Sequence, residues 1–127
     1  MEESDIDVEA KLAKGLKYIS KLSKSKKENL ISILKDVQNV QASELTIKQK
    51  AIEIKRIMWN DQSASSKLFI GAFIGAVTGL FIFGSGGIGI VALGGGIGIW
   101  GWLATAAGGA FISSIIQNYE DKHKNES

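Results

Sequence analysis

LFIGAFIGAVTGLFIFGSGGIGIVALGGGIGIWGWLATAAGGAFISSII, residues 68–116, runs for 49 positions without a charged side chain. A membrane-spanning helix takes about 20 apolar residues at roughly 1.5 Å of rise each. The stretch therefore holds two spans and a connection, and the expected fold is all-α with a two-helix transmembrane hairpin. The first span is expected over 68–83, opening after Lys67 and closing at Gly84-Ser85-Gly86-Gly87. The second is expected over 99–118. Trp100 and Trp102 stand at one end of it and Tyr119 at the other, as anchors for the two membrane–water interfaces.

Within the first span Gly71, Gly75 and Gly79 recur every four residues, flanked by Ala72 and Ala76. Small residues at that spacing share one helix face and allow close backbone approach. Gly101, Thr105, Gly109 and Ser113 make a second such face. These seven positions are the candidate surfaces for helix packing or oligomerisation. Between the spans, Gly86-Gly87-Ile88-Gly89-Ile90 returns nine residues later as Gly95-Gly96-Ile97-Gly98-Ile99. The segment 84–98 reads either as a helix that begins near Ile88 and kinks at Gly94-Gly95-Gly96, or as a re-entrant segment shielded by neighbours.

Outward from that stretch the character changes. Residues 1–67 hold 13 Lys or Arg against 10 Asp or Glu, a net of +3. Val8, Leu12, Leu16, Ile19 and Leu22 recur at helical spacing over 6–24, and Lys11, Lys14, Lys17, Lys21 and Lys24 fall on the opposite side. That basic face is a candidate for lipid headgroups or an acidic partner. Gly15 weakens this helix by roughly 1 kcal/mol relative to Ala. A second stripe, Leu30, Ile31, Leu34, Val37 and Val40, predicts a helix over 28–41, and a third helix is expected over 44–60. Residues 60–66 are polar and small, a linker or the start of the next helix. Three helices with so few apolar positions bury a thin core, so they are expected to lean on the membrane or on other copies of the chain. The organisation expected is a cytosolic helical domain over 1–66, a glycine-rich hairpin over 67–118 and a polar tail over 119–127.

The N-terminus lacks the basic and apolar regions of a secretory signal. Lysines and Arg56 precede the first span, Lys122 and Lys124 follow the second, and the connection has no basic residue. Both termini are therefore expected on the cytosolic side of a multi-pass protein of the cytoplasmic (inner) membrane. With no Cys there is neither a disulfide nor a thiolate metal site, and the absence of Pro suits long helices. Gly84-Ser85-Gly86-Gly87-Ile88-Gly89 matches the dinucleotide pattern G-x-G-x-x-G. It lacks the acid roughly 20 residues on that such a site needs, since none follows before Glu120. His123, the one His, lies in the polar tail. No nucleophile–base set is present, so an enzyme is not expected, and no cofactor or metal is implied. No aromatic platform accompanies the lysines, which argues against nucleic acid.

The repeat Gly71, Gly75, Gly79 resembles that of small glycine-zipper membrane proteins, a class that includes toxins, holin-like proteins and defence effectors. The resemblance spans about 50 residues and implies a small oligomerising membrane protein that perturbs or permeates the membrane under the control of its helical domain. The competing expectation is a non-enzymatic anchor or accessory subunit that recruits a protein partner. Membrane lipid, further copies of the chain and a cytosolic protein are the expected partners.

Overall fold

A computed structural model of the protein describes residues 3–78 and 98–126, and within them the side chains of 9–77 and 99–122. All regular structure among the described residues is helical. The elements are α1 (Glu3–Ser20), α2 (Lys24–Gln41), α3 (Ile47–Lys55) running straight into a π-helical turn (Arg56–Asn60), α4 (Ala64–Thr78), α5 (Gly98–Ala104) and α6 (Ala106–Glu126).

Local chemistry sets most of these boundaries. α1 ends in a turn in which the Lys21 and Leu22 amides donate to the carbonyls of Tyr18 and Ile19. Ser23 then caps α2 through the Lys26 amide. Thr46 and Gln49 form a reciprocal capping box at the start of α3, each side chain satisfying the other's backbone N–H. The Ser63 hydroxyl accepts from the Ser66 amide and opens α4. In the π-helical turn the Asp61 amide reaches back to the Arg56 carbonyl at 2.9 Å. The wider turn lets the adjacent Met58 and Trp59 both face inward.

The long second helix expected over 99–118 is two helices. Thr105 breaks it: its hydroxyl donates to the Trp102 carbonyl at 2.6 Å and accepts from the Gly108 amide at 3.3 Å, ending α5 and capping α6. Gly108 follows so closely on this corner that a Cβ there would overlap the Trp102 carbonyl oxygen and the Leu103 backbone. Glycine is the residue that fits.

α6 is the central element, packed by α1, α2 and α5, while α3 lies on α5 and the π-helical turn bridges α2 to α4. One core runs through the whole assembly, on both sides of the boundary expected at 66/67. Leu30, Leu34 and Val37 of α2, Ile54, Met58, Ile70 and Phe73, and Ile99, Phe111, Ile112 and Ile115 are its most buried members. Tyr18, Phe73, Phe111 and Trp102 form a chain of tilted rings with centroids 6.0, 6.3 and 5.7 Å apart. No polar side chain is buried among the described residues.

The structure overturns the transmembrane hairpin, and with it the expected placement as a multi-pass inner-membrane protein with both termini cytosolic. Among the described residues no helix is long and apolar enough to cross a membrane. The 15 described residues of α4 rise about 22 Å against a hydrocarbon core of about 30 Å. α5 has 7 residues. α6 has 21, but its second half carries Glu120, Asp121, Lys122, Lys124 and Glu126. The physical reason is coverage. The apolar stripes of α1, α2 and α3 lie on the apolar faces of α4, α5 and α6 and take the role expected of lipid. Residues 79–97, including Gly79 and most of the 84–98 connection, lie outside the described residues.

α1 makes that coverage at a crossing where it has no side chain. A Cβ on Gly15 would stand 2.9 Å from Ile115 Cδ1 of α6, 3.3 Å from Val77 Cγ2 and 3.4 Å from Phe73 Cε1 of α4. Gly15→Leu is therefore expected to overpack the junction and lower the unfolding free energy by about 2 kcal/mol in urea titrations. Gly109, which has open space around it, behaves oppositely: Gly109→Ala is expected to raise stability by up to about 1 kcal/mol through helix propensity.

Candidate functional site: the lysine face of helix 1 and the apolar layer beneath it

α1 has two unlike sides. Its underside presents Ile19, fully buried, and Leu12, Leu16, Leu22 and Tyr18, partly buried against the core. Its outer side presents Lys14, Lys17 and Lys21, all exposed, and the exposed Lys24 and Lys26 continue the patch onto the first turn of α2. No acid interrupts the sequence from Ala10 to Lys27. Lys11 is the exception among the five predicted lysines. It is half-buried with its ammonium 5.5 Å above the Trp102 ring, a cation–π contact that ties the middle of α1 to α5.

Directly beneath lies a layer without charge. α4 turns Ile70, Phe73, Ile74 and Val77 inward, and Leu68, Ala72 and Ala76 are exposed on its other side. α6 contributes Phe111, Ile112, Ile115 and Ile116. A small apolar cavity lies between Phe73, Val77, Trp102 and Phe111. The polar tie from α1 to α4 is the Tyr18 hydroxyl, which donates to the Phe69 carbonyl at 3.1 Å. Burial pushes the Tyr18 phenol above its ordinary value of 10.0.

The predicted small-residue positions are dispersed. A Cβ on Gly71 would meet the Trp59 ring at 3.6 Å, Gly75 is partly exposed, Gly101 is buried and Thr105 caps α6. Gly109 faces open space, and the exposed Ser113 accepts a hydrogen bond from Gln38 of α2 at 3.1 Å. α4 and α6 meet through the Phe73 and Phe111 rings, so their contact is made by large side chains. Of the predicted interface anchors, Trp100 is buried, while Trp102 and Tyr119 are partly buried against the core.

Sequence reasoning did not single out Trp59 or Tyr18, and it read Gly15 only as a weak point of its helix. Trp59 lies under Lys67, whose ammonium is 5.5 Å from its ring centroid, and its indole nitrogen is buried with no hydrogen-bond partner. A second polar feature is the groove formed by Asp36, Asn39, Arg56, Ile57, Asp61 and Gln62. Its Arg56 is held by Glu53 at 3.0 and 3.2 Å and by Asp61 at 2.6 Å. The Arg56 guanidinium keeps the Glu53 carboxyl below its usual range. These bonds staple the π-helical turn and commit the guanidinium to its own neighbours. Among the described residues no group of three His, Cys, Asp or Glu is placed to hold a metal ion.

Magnitudes indicate how firmly α1 is held. Complete burial of one aliphatic side chain is worth about 2 kcal/mol, and α1 has one such residue, whereas α2 buries Leu30, Ile31, Ile33, Leu34 and Val37. Each lysine near an anionic bilayer gains about 1 kcal/mol.

No protein family, no curated protein and no solved structure matches the chain.

The Tyr18 phenol favours the folded state in its protonated form. Its contribution is fully present below the unfolded pKa and is lost as pH rises through the raised folded value. Between about pH 9 and about pH 11 the melting temperature of the wild type is expected to fall more steeply than that of Tyr18→Phe. Parallel curves would mean that the phenol titrates as it does in the unfolded chain.

Proposed function

We propose that this chain is a non-enzymatic, membrane-active helical protein that works from the surface of an anionic bilayer and permeabilises it. The observation that carries the reading is the stacking of two surfaces: exposed Lys14, Lys17, Lys21 and Lys24 outside, and the uncharged α4 and α6 packing layer one helix below. The lysines supply attraction to anionic headgroups that falls off within a Debye length. The apolar layer supplies what disturbs the lipid once the protein is seated there. An amphipathic helix with Lys on one side and Leu and Ile on the other suits the headgroup boundary, where it lies in the plane of the membrane. This gives the effector expectation a form in which the folded protein docks first.

The test uses the full chain and dye-loaded vesicles of phosphatidylcholine, with and without about one third phosphatidylglycerol. Leakage is expected from the anionic vesicles and is expected to weaken as salt is raised. Replacing Lys14, Lys17, Lys21 and Lys24 by Gln is expected to reduce vesicle binding by at least about tenfold, with helical content unchanged. Equal leakage from neutral vesicles, or binding indifferent to the four lysines, would overturn the reading.

A further inference from the structure

We infer that α1 is a releasable cover: at an anionic lipid surface it lifts from α4 and α6, lays its own apolar stripe in the headgroup region and uncovers Phe73, Val77 and Ile115. The inference rests on the reading of the chain as membrane-active and adds the step that controls it.

Four observations converge on α1. It is the helix that spans the junction of α4 and α6, so its departure opens both at once. Its grip at the closest point comes from the far side, because Gly15 offers no side chain to Ile115, Val77 and Phe73. Its polar ties to the layer below are surface-type contacts, the Tyr18 hydroxyl on the Phe69 carbonyl and the Lys11 ammonium over the Trp102 ring. The link to α2 is three residues, 21–23, so α1 can swing while α2 keeps its five buried residues in place.

A ligand shifts an equilibrium only by binding one state better, and lipid distinguishes the covered from the released protein. Covered, α1 offers lipid its lysines alone. Released, it offers lysines together with Leu12, Leu16, Ile19 and Leu22, while the surface it leaves exposes Phe73, Val77 and Ile115. Water penalises both newly exposed faces and lipid accepts both. Release is therefore tied to contact with the bilayer and is suppressed in its absence.

Because the chain has no cysteine, pairs of spin labels report the movement directly, at exposed positions that leave the core intact. Ala13→Cys with Gln117→Cys measures α1 against α6, and Ser32→Cys with Gln117→Cys measures α2 against α6. In buffer, and with neutral vesicles, both pairs are expected to give single short distances. With phosphatidylglycerol vesicles the first is expected to lengthen by about a helix diameter, about 10 Å, and the second to stay. Leakage with both distances unchanged would overturn the inference and leave the membrane-active reading standing. Lengthening of both pairs would mean general unfolding and would overturn it as well. Lengthening of the first pair without leakage would support the cover and overturn the permeabilising activity. No movement and no leakage would sink both.

Discussion

Gly15 is where the fold is decided. Three helices meet there closely: Ile115 Cδ1 from α6, and Val77 Cγ2 and Phe73 Cε1 from α4, all approach the position a Cβ would take. The approach brings Leu12, Leu16, Ile19 and Tyr18 down onto the apolar faces of α4 and α6. An apolar helix in water must find cover somewhere, because exposed hydrocarbon is the costliest surface a chain can present. Here the cover comes from the protein's own basic N-terminal helix. The same placement puts that helix's lysines outermost.

Much of this was legible beforehand. The all-helical class followed from the stripes, and the stripe Leu30, Ile31, Leu34, Val37 is the buried face of α2. The lysine side of α1 was visible for the same reason, since a period near 3.6 separates two faces whatever lies against them. The Thr105 break had a local signal in a hydroxyl residue three positions before a glycine. It was read instead as a member of a small-residue stripe. The π-helical turn had no signal of its own, because Met58 and Trp59 reveal it only when both point inward.

What misled was solvation. Forty-nine residues without a charge say that water is a poor medium for them, and they say nothing about what replaces it. Lipid and a sheath of amphipathic helices solve the same problem. The choice between them lies in contacts between residues far apart in the chain, such as Tyr18 with Phe69 or Lys35 with Glu120 at 3.1 Å. Gly15 was read as a weakness of its helix, and the local cost is real. The close packing it permits across 100 residues of sequence has no local trace.

The claim on which the account turns is that α1 seats on α4 and α6 at Gly15 in the absence of lipid. Nuclear Overhauser contacts from the Gly15 Hα protons to the Ile115 and Val77 methyls, recorded on the full chain in detergent-free buffer, test it most directly. The account predicts that both are present, together with contacts from the Tyr18 ring to Phe73. Spectra in which Gly15 shows no contact with either methyl, or shows them only once detergent micelles are added, would contradict it.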